Sequence, residues 1–289
     1  MLNRLSRASW TEPFSMLEQK AALEAIENGE VLYLPQCAFP LNAAEQSVLA
    51  PTILKKHFKN VSFNPNNRSL KGVVDSEVAL QAASMMERFF QNSRCLIEQI
   101  FASYKDRLEI GRTSYRPIEV IDRKTSLLKD DTRLHVDAFP ATPNHGKRIL
   151  RVFSNINPHQ KPRMWHLGEP FEKVVLAFLP TLQKPLLGSR TLLAWAKMTK
   201  SYRTLYDHYM LQLHDAMKKS ESYQQTVTKT TVSFPAGATW IVMTDAVSHA
   251  ALSGQYLLEQ TFYLPVEAMV CPQKSPLRIL EKNLSRKLI

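Results

Sequence analysis

"KDDTRLHVDAFP", residues 129–140, places a histidine and an aspartate two positions apart, His135 and Asp137. Side chains at i and i+2 of a strand leave on the same face. Read as a strand, this stretch offers a nitrogen and an oxygen to one point and turns Val136 into packing. The surroundings support that reading. "TSYRPIEVI" (113–121), "TRLHVDAF" (132–139) and "RILRVFSNI" (148–156) are short, partly alternating and separated by turns. "KTTVSF" (229–234), "ATWIVM" (238–243) and "YLLEQTFYLP" (256–265) repeat the pattern further on, punctuated by Pro235-Ala-Gly237 and Ser253-Gly254.

Helices precede and interrupt these strands. Ser15 and Glu18 fit a capping box, and Leu17, Ala21 and Ala25 continue at helical spacing to Gly29. "VLYLP" (31–35) reads as a buried strand stopped by Pro35. Val78, Ala82, Met85, Phe89 and Leu96 predict a long helix over about 76–101. Two more helical pieces are expected at 171–182 and 192–219, the second carrying Tyr202, Leu205, Tyr209, Leu213 and Met217. The fold expected is α+β: an antiparallel β barrel or sandwich braced by N-terminal and inserted helices. All 289 residues are assigned to one domain, with a helical part over about 1–110, a β core over about 111–265, an insert over about 170–220 and a basic tail at 266–289.

A second histidine would turn the His135–Asp137 pair into a facial triad, which leaves open positions and suits non-haem Fe(II) that activates O2. His249, in "WIVMTDAVSHAALSGQ", sits between two expected strands and fits that place. His214 is followed directly by Asp215, but helical neighbours diverge by about 100°, so this pair reads as surface. His57, His145, His159, His166 and His208 have no carboxylate two places on and are not read as ligands.

Iron of this type needs an electron-donating cosubstrate such as 2-oxoglutarate, whose far carboxylate needs a buried cation or strong donors. Residues 138–168 hold five basic residues and no acidic one. Arg148 and Arg151 lie three apart on one expected strand and face opposite ways. Arg151 is the expected anchor, because Phe153 and Asn155 share its face.

Lys and Arg total 37 against 26 Asp and Glu, a net charge of +11. That field favours anionic partners, yet there is no basic recognition helix or aromatic stacking sheet of the nucleic-acid binders. No apolar run is long enough to span a bilayer, and the first residues lack the apolar centre of an export signal. Three scattered cysteines, Cys37, Cys95 and Cys271, argue against a disulfide framework and for a reducing cytoplasm. The tail "SPLRILEKNLSRKLI" spaces Leu277, Leu280, Leu284 and Leu288 at helical intervals among Arg278, Lys282, Arg286 and Lys287. It is either a basic helix resting on an anionic membrane or a final helix packed on the sheet.

Four blocks carry a resemblance: "KDDTRLHVDAFPATPNHGKRILRVFSNINP" (129–158), "GEPFEKV" (168–174), "YDHYMLQLHDAMK" (206–218) and "GATWIVMTDAVSHAALSGQYLLEQTFYLP" (237–265). In this order they resemble the Kdo hydroxylase family, over about residues 30–265. The resemblance implies a double-stranded β-helix (jelly-roll) core and an Fe(II)/2-oxoglutarate dioxygenase, with ascorbate as reductant. It implies O2-dependent hydroxylation at C3 of Kdo (3-deoxy-D-manno-oct-2-ulosonic acid) in Kdo-lipid A of lipopolysaccharide, releasing succinate and carbon dioxide. It maps the metal ligands onto His135, Asp137 and His249. Many 2-oxoglutarate enzymes carry an arginine about ten residues past the distal histidine; here Gln255, Gln260 and Thr261 stand instead. Arg148 or Arg151, with Asn155 and Gln260, are therefore the candidate cosubstrate residues. Arg112, Arg116 and Arg163 are either partners of the substrate's acids or solvated surface groups. The implied setting is the cytoplasmic face of the inner membrane, in peripheral contact. A dioxygenase acting on another anionic or acyl substrate, and a non-catalytic binder of anionic glycolipid, are the alternatives.

Overall fold

The structure, a computed structural model, describes residues 2–74, 76–121, 125–186, 195–196 and 198–289. In chain order these form β1 (Leu2–Arg4), α1 (Met16–Glu27), β2 (Val31–Leu34), β3 (Val61–Asn64), β4 (Ser69–Lys71), α2 (Ser76–Ile100) and β5 (Glu109–Arg116). Next come β6 (Arg148–Asn155), β7 (Arg163–Pro170), α3 (Phe171–Phe178), α4 (Leu205–Lys219), α5 (Glu221–Thr226) and β8 (Thr230–Phe234). The chain continues as β9 (Thr239–Met243), β10 (Val247–Ser253), β11 (Leu257–Leu264) and α6 (Pro276–Leu284).

Two sheets make the core. The larger runs β1-β2-β9-β6-β11-β5-β3-β4 and the smaller β10-β7-β8. Strand β6 lies between β9 and β11 and is buried along its whole length, as expected of a strand covered on both faces. Its alternation sorts the two faces. Leu150 and Val152 join a core with Met85, Phe89 and Ile97 of α2, while Phe153 packs with Trp165, Phe234 and Trp240 between the sheets. Phe234 stacks on Trp240 at 4.0 Å, Trp240 on Phe153 at 5.3 Å, and Trp165 meets Phe153 edge-on at 5.1 Å. This aromatic layer holds the sheets together and ends against the functional site.

The Ser15–Glu18 capping box is present at α1, and Gly29 just beyond that helix takes φ +75°. The long second helix runs as expected, with Ala82, Met85, Phe89 and Leu96 buried. The insert contains α3 and α4, but α4 starts only at Leu205, where Thr204 and Asp207 make a capping box; Tyr202 precedes it and is exposed. The expected helix at 192–204 falls partly outside the described residues (192–194 and 197).

Five strands are not expected from the sequence: β1, β3 and β4 in the N-terminal part, where only β2 is read among helices, and β7 and β10 beside the site. β7 contains Gly168 and alternates buried Arg163, Trp165 and Leu167 with outward residues, and β10 is rich in serine and alanine; neither has the β-branched run that marks a strand. The stretch 132–139 forms no regular strand. It touches β10 through the single bridge His135–His249, and Gln224 of α5 bonds both the backbone N–H and C=O of Leu134. A side chain thus takes the place of the next strand.

The tail is the packed alternative. Leu277, Leu280 and Leu288 are buried in the main core, and the Leu288 carbonyl accepts from the Tyr206 N–H. Glu27 ties the approach to α6 by accepting from Val270 N at 2.8 Å, Cys271 N at 2.7 Å and the Tyr104 hydroxyl at 2.6 Å. No helix among the described residues is long and apolar enough to cross a membrane.

Candidate metal centre

His135 and His249 exchange both backbone hydrogen bonds, at 3.0 and 2.9 Å, so their side chains leave the same face of the smaller sheet. Their rings lie 4.7 Å apart. The next same-face residue, Asp137, is fixed by its N–H to Thr244 O at 2.9 Å. One atom from each of His135, Asp137 and His249 lies within 4.8 Å of the others, and all three residues are buried. His249 is within β10, not between two strands as expected, and β7 backs it: the Trp165 ring stacks on its imidazole at 5.1 Å.

The hydrogen bonds set the tautomers. His135 Nδ1 lies 2.8 Å from Arg133 O, and His249 Nδ1 lies 2.8 Å from Val247 O. Each carbonyl accepts the Nδ1 proton, leaving the Nε2 lone pair for a metal. Burial lowers both imidazole pKa values, with His249 and Lys218 adding repulsion at His135, so both rings are neutral near pH 7. Burial alone would raise the Asp137 pKa, but Arg151 and the two histidines hold it well below the usual carboxylate range. Two neutral nitrogens and one carboxylate are the donors that a divalent iron takes. Asp137 Oδ2 is buried and makes no hydrogen bond, its close partner being the Arg151 guanidinium in an ion pair at 3.1 Å, which leaves it able to take an ion.

The triad lies in a cavity of about 570 Å³. Ion pairs alternate along its wall: Asp131 with Arg116 at 3.6 Å, Arg116 with Glu259 at 2.7 Å, Glu259 with Arg151 at 3.4 Å and Arg151 with Asp137 at 3.1 Å. Glu259 stays ionised: the two arginines outweigh its burial and lower its pKa. Arg163 also lines the cavity and donates to Gly254 O at 2.8 Å. Gly254 takes φ +118°, and a Cβ there would meet the Arg163 side chain at 2.7 Å.

Of the expected cosubstrate residues, Arg151 faces the triad. Arg148, three positions earlier, points the other way and is buried in an ion pair with Asp245 at 2.7 Å, so it is no candidate. Asn155 shares the face of Arg151, but its amide donates to Lys161 O and Phe234 O and accepts from Asn157 N; it holds a turn and does not line the cavity. Gln260 sits on the helix side of β11, bonded to Thr113 at 2.5 Å and to Thr261 O at 2.7 Å, also away from the cavity. Of the expected substrate residues, Arg116 and Arg163 line the cavity, while Arg112 bonds Ser62 at 2.7 Å and does not.

Several lining residues go unread in the sequence, among them Asp131, Glu259, Trp165, His214 and Lys218. Trp165 lies on the unanticipated β7. His214 bonds Asp215 although helical neighbours diverge, and it is not the surface group expected: its ring meets the His135 ring edge-on at 5.5 Å. Lys218 follows one turn later on α4 and is buried. The i, i+4 spacing of His214 and Lys218, which puts both on one face of α4, is the signal that the sequence offers for them.

Two histidines and one carboxylate converging inside a two-sheet β core define the class of mononuclear non-haem iron oxygenases. Within it the chain belongs to the family of 3-deoxy-D-manno-oct-2-ulosonic acid (Kdo) hydroxylases, whose model matches residues 9–287. It is similar to the crystal structures of the Kdo hydroxylase KdoO, a non-heme Fe(II) α-ketoglutarate (2-oxoglutarate) dependent dioxygenase. The similarity is 46% identity over 100% of this chain and 97% of that one, with TM-scores of 0.97 for the α-ketoglutarate–Fe(III) complex, 0.98 for the cobalt(II) complex and 0.97 for the succinate–Fe(III) complex. These neighbours share the expected jelly-roll core. Comparison with curated proteins finds no match.

Proposed function

We propose that this chain is an Fe(II)- and 2-oxoglutarate-dependent dioxygenase that hydroxylates Kdo at C3, acting on Kdo attached to lipid A. The observation that carries the reading is the triad, with three ligand atoms within 4.8 Å and both Nδ1 atoms committed to carbonyls. Iron held there supplies, with 2-oxoglutarate and O2, the oxidation that replaces a C–H by C–OH.

The protein's own part is positional. His135, Asp137 and His249 would hold the metal, with Arg133 O and Val247 O fixing the two rings. Arg116, Arg151 and Arg163 would receive the carboxylate of 2-oxoglutarate, guanidinium being suited to paired oxygens. Arg151 Nε and Trp165 Nε1 are both buried without an acceptor, so each has a proton to give to a bound acid. The aromatic layer behind Trp165 keeps water from that side. Asp131 and Glu259 hold the guanidinium groups in place before ligand arrives, which lowers the ordering cost of binding.

The chain's surplus of positive charge fits an anionic glycolipid, and the implied place of action is the cytoplasmic face of the inner membrane. Ascorbate would serve as reductant. The test is mass spectrometry of Kdo-lipid A incubated with protein, Fe(II), ascorbate and 2-oxoglutarate under air. One added oxygen on the sugar and equimolar succinate are expected. Succinate formed with other acids or acyl lipids but not with Kdo-lipid A would reassign the substrate. Binding without any succinate would leave a glycolipid binder.

A further inference from the structure

Lys218 is a buried cation in the metal cavity to which the proposed chemistry gives no task. Its backbone is clamped: Lys218 O accepts from Arg133 Nε at 2.6 Å, and Arg133 also pairs with Glu221 of α5. Its ammonium donates to Leu128 O at 3.2 Å and makes no direct salt bridge among the described residues, Asp131 and Asp137 acting on it only from further off. An ammonium carries three protons, so two have no protein acceptor. A lysine shut away from water in this way is costly unless an anion answers it. The contrast with Arg116 and Arg151 is direct, since both already hold Glu259.

Position separates this charge from the guanidinium group. Arg116, Arg151 and Arg163 come from strands β5, β6 and β7, whereas Lys218 comes from α4 beside residues 128–131. His214, one turn earlier on the same helix face, touches the His135 ring, so this helix borders the metal site. Two positive groups supplied by different elements suit two different acids. The ionic balance agrees. Apart from the lysines Lys59 and Lys129, four cations (Arg116, Arg151, Arg163, Lys218) line the cavity against three carboxylates (Asp131, Asp137, Glu259). With Lys59, Lys129 and the two charges of Fe(II) added, the excess is more than enough for a dicarboxylate and one further carboxylate.

We infer that Lys218 receives the carboxylate of the sugar acid, an inference that rests on the function proposed above. In a 3-deoxy-2-ulosonic acid the carboxylate is C1 and the carbon to be hydroxylated is C3, two bonds away. An ammonium holding C1 therefore places C3 and keeps the sugar from sliding past the metal.

The experiment compares Kdo-lipid A with its C1 methyl ester, on wild type, Lys218→Met and Lys218→Arg. Binding is measured without oxygen and KM with it. Wild type should favour the acid by about tenfold or more, the size of one charge-assisted contact. Lys218→Met should lose that preference through weaker binding of the acid, with 2-oxoglutarate affinity unchanged, and Lys218→Arg should keep most of it. Equal binding of acid and ester by wild type overturns the inference without any variant. So does a preference retained by Lys218→Met, or a loss of 2-oxoglutarate affinity in that variant. A wild type that binds the acid in preference to the ester yet does not hydroxylate it overturns the proposed function and leaves the carboxylate site standing.

Discussion

His135 and His249 each give Nδ1–H to a carbonyl two residues upstream, and that bond leaves only Nε2 for the metal. His135→Ala and His249→Ala should therefore each abolish stoichiometric Fe(II) binding and turnover, measured by metal titration and succinate release. The same rings make the metal-free protein sensitive to acid. Their folded pKa values lie below the ordinary value of about 6.5. The unfolded chain then binds protons that the native site refuses, and stability falls as pH drops below about 6.5. Asp137 and Glu259 act in the same direction at lower pH: their folded pKa values are depressed, so their contribution is present above about 4 and lost as pH falls through the folded values. Thermal melts of the metal-free protein from pH 8 to 5 should show a falling Tm. His249→Asn should flatten the fall between pH 7 and 5, and an unchanged slope would place the sensitivity elsewhere.

At the scale of elements, the site depends on how closely β7 approaches β10. A Cβ on Gly168 of β7 would lie 2.7 Å from Ser248 Oγ and 3.3 Å from Leu134 Cδ2, beside both ligand histidines. Gly168→Ala should push β10 and the 134–137 stretch apart and weaken Fe(II) binding by about tenfold, a shift worth about 1.4 kcal/mol. Ser248→Gly in the same chain should restore most of the affinity; no recovery would mean that the defect is not this contact. This closeness explains why β7 and β10 escaped reading from sequence. Their glycine, serine and alanine serve sheet approach and ligand placement, whereas β6, β9 and β11 announce themselves through β-branched and aromatic residues. His135 and Asp137 were legible because a period of two needs only a local strand geometry. Lys218, His214 and Trp165 were not, because their place in the cavity depends on how an inserted helix and an unanticipated strand pack. Arg151 was separable from Arg148 by parity alone, but nothing local reveals that Asp245 takes Arg148 out of play.

At the scale of the whole molecule, the apolar face of the tail is committed to the protein's own core. Leu277, Leu280 and Leu288 are buried against the body, and no residue of α6 lines the metal cavity. A basic amphipathic helix is also readable as a membrane anchor, because periodicity tells that a stripe is apolar but not what covers it. The two assignments diverge on Leu280→Ala. A packed helix loses about 2–5 kcal/mol of folding stability, as buried leucines do when truncated, seen as a lower denaturant midpoint. Well below its melting temperature the variant should keep its KM and kcat, and whatever affinity the folded wild type shows for anionic vesicles should be unchanged. An anchor would behave in reverse, with little change in the midpoint and a clear drop in vesicle binding. Denaturant titration and vesicle sedimentation on one pair of proteins therefore decide it, and a preserved midpoint with lost sedimentation would return the tail to the membrane.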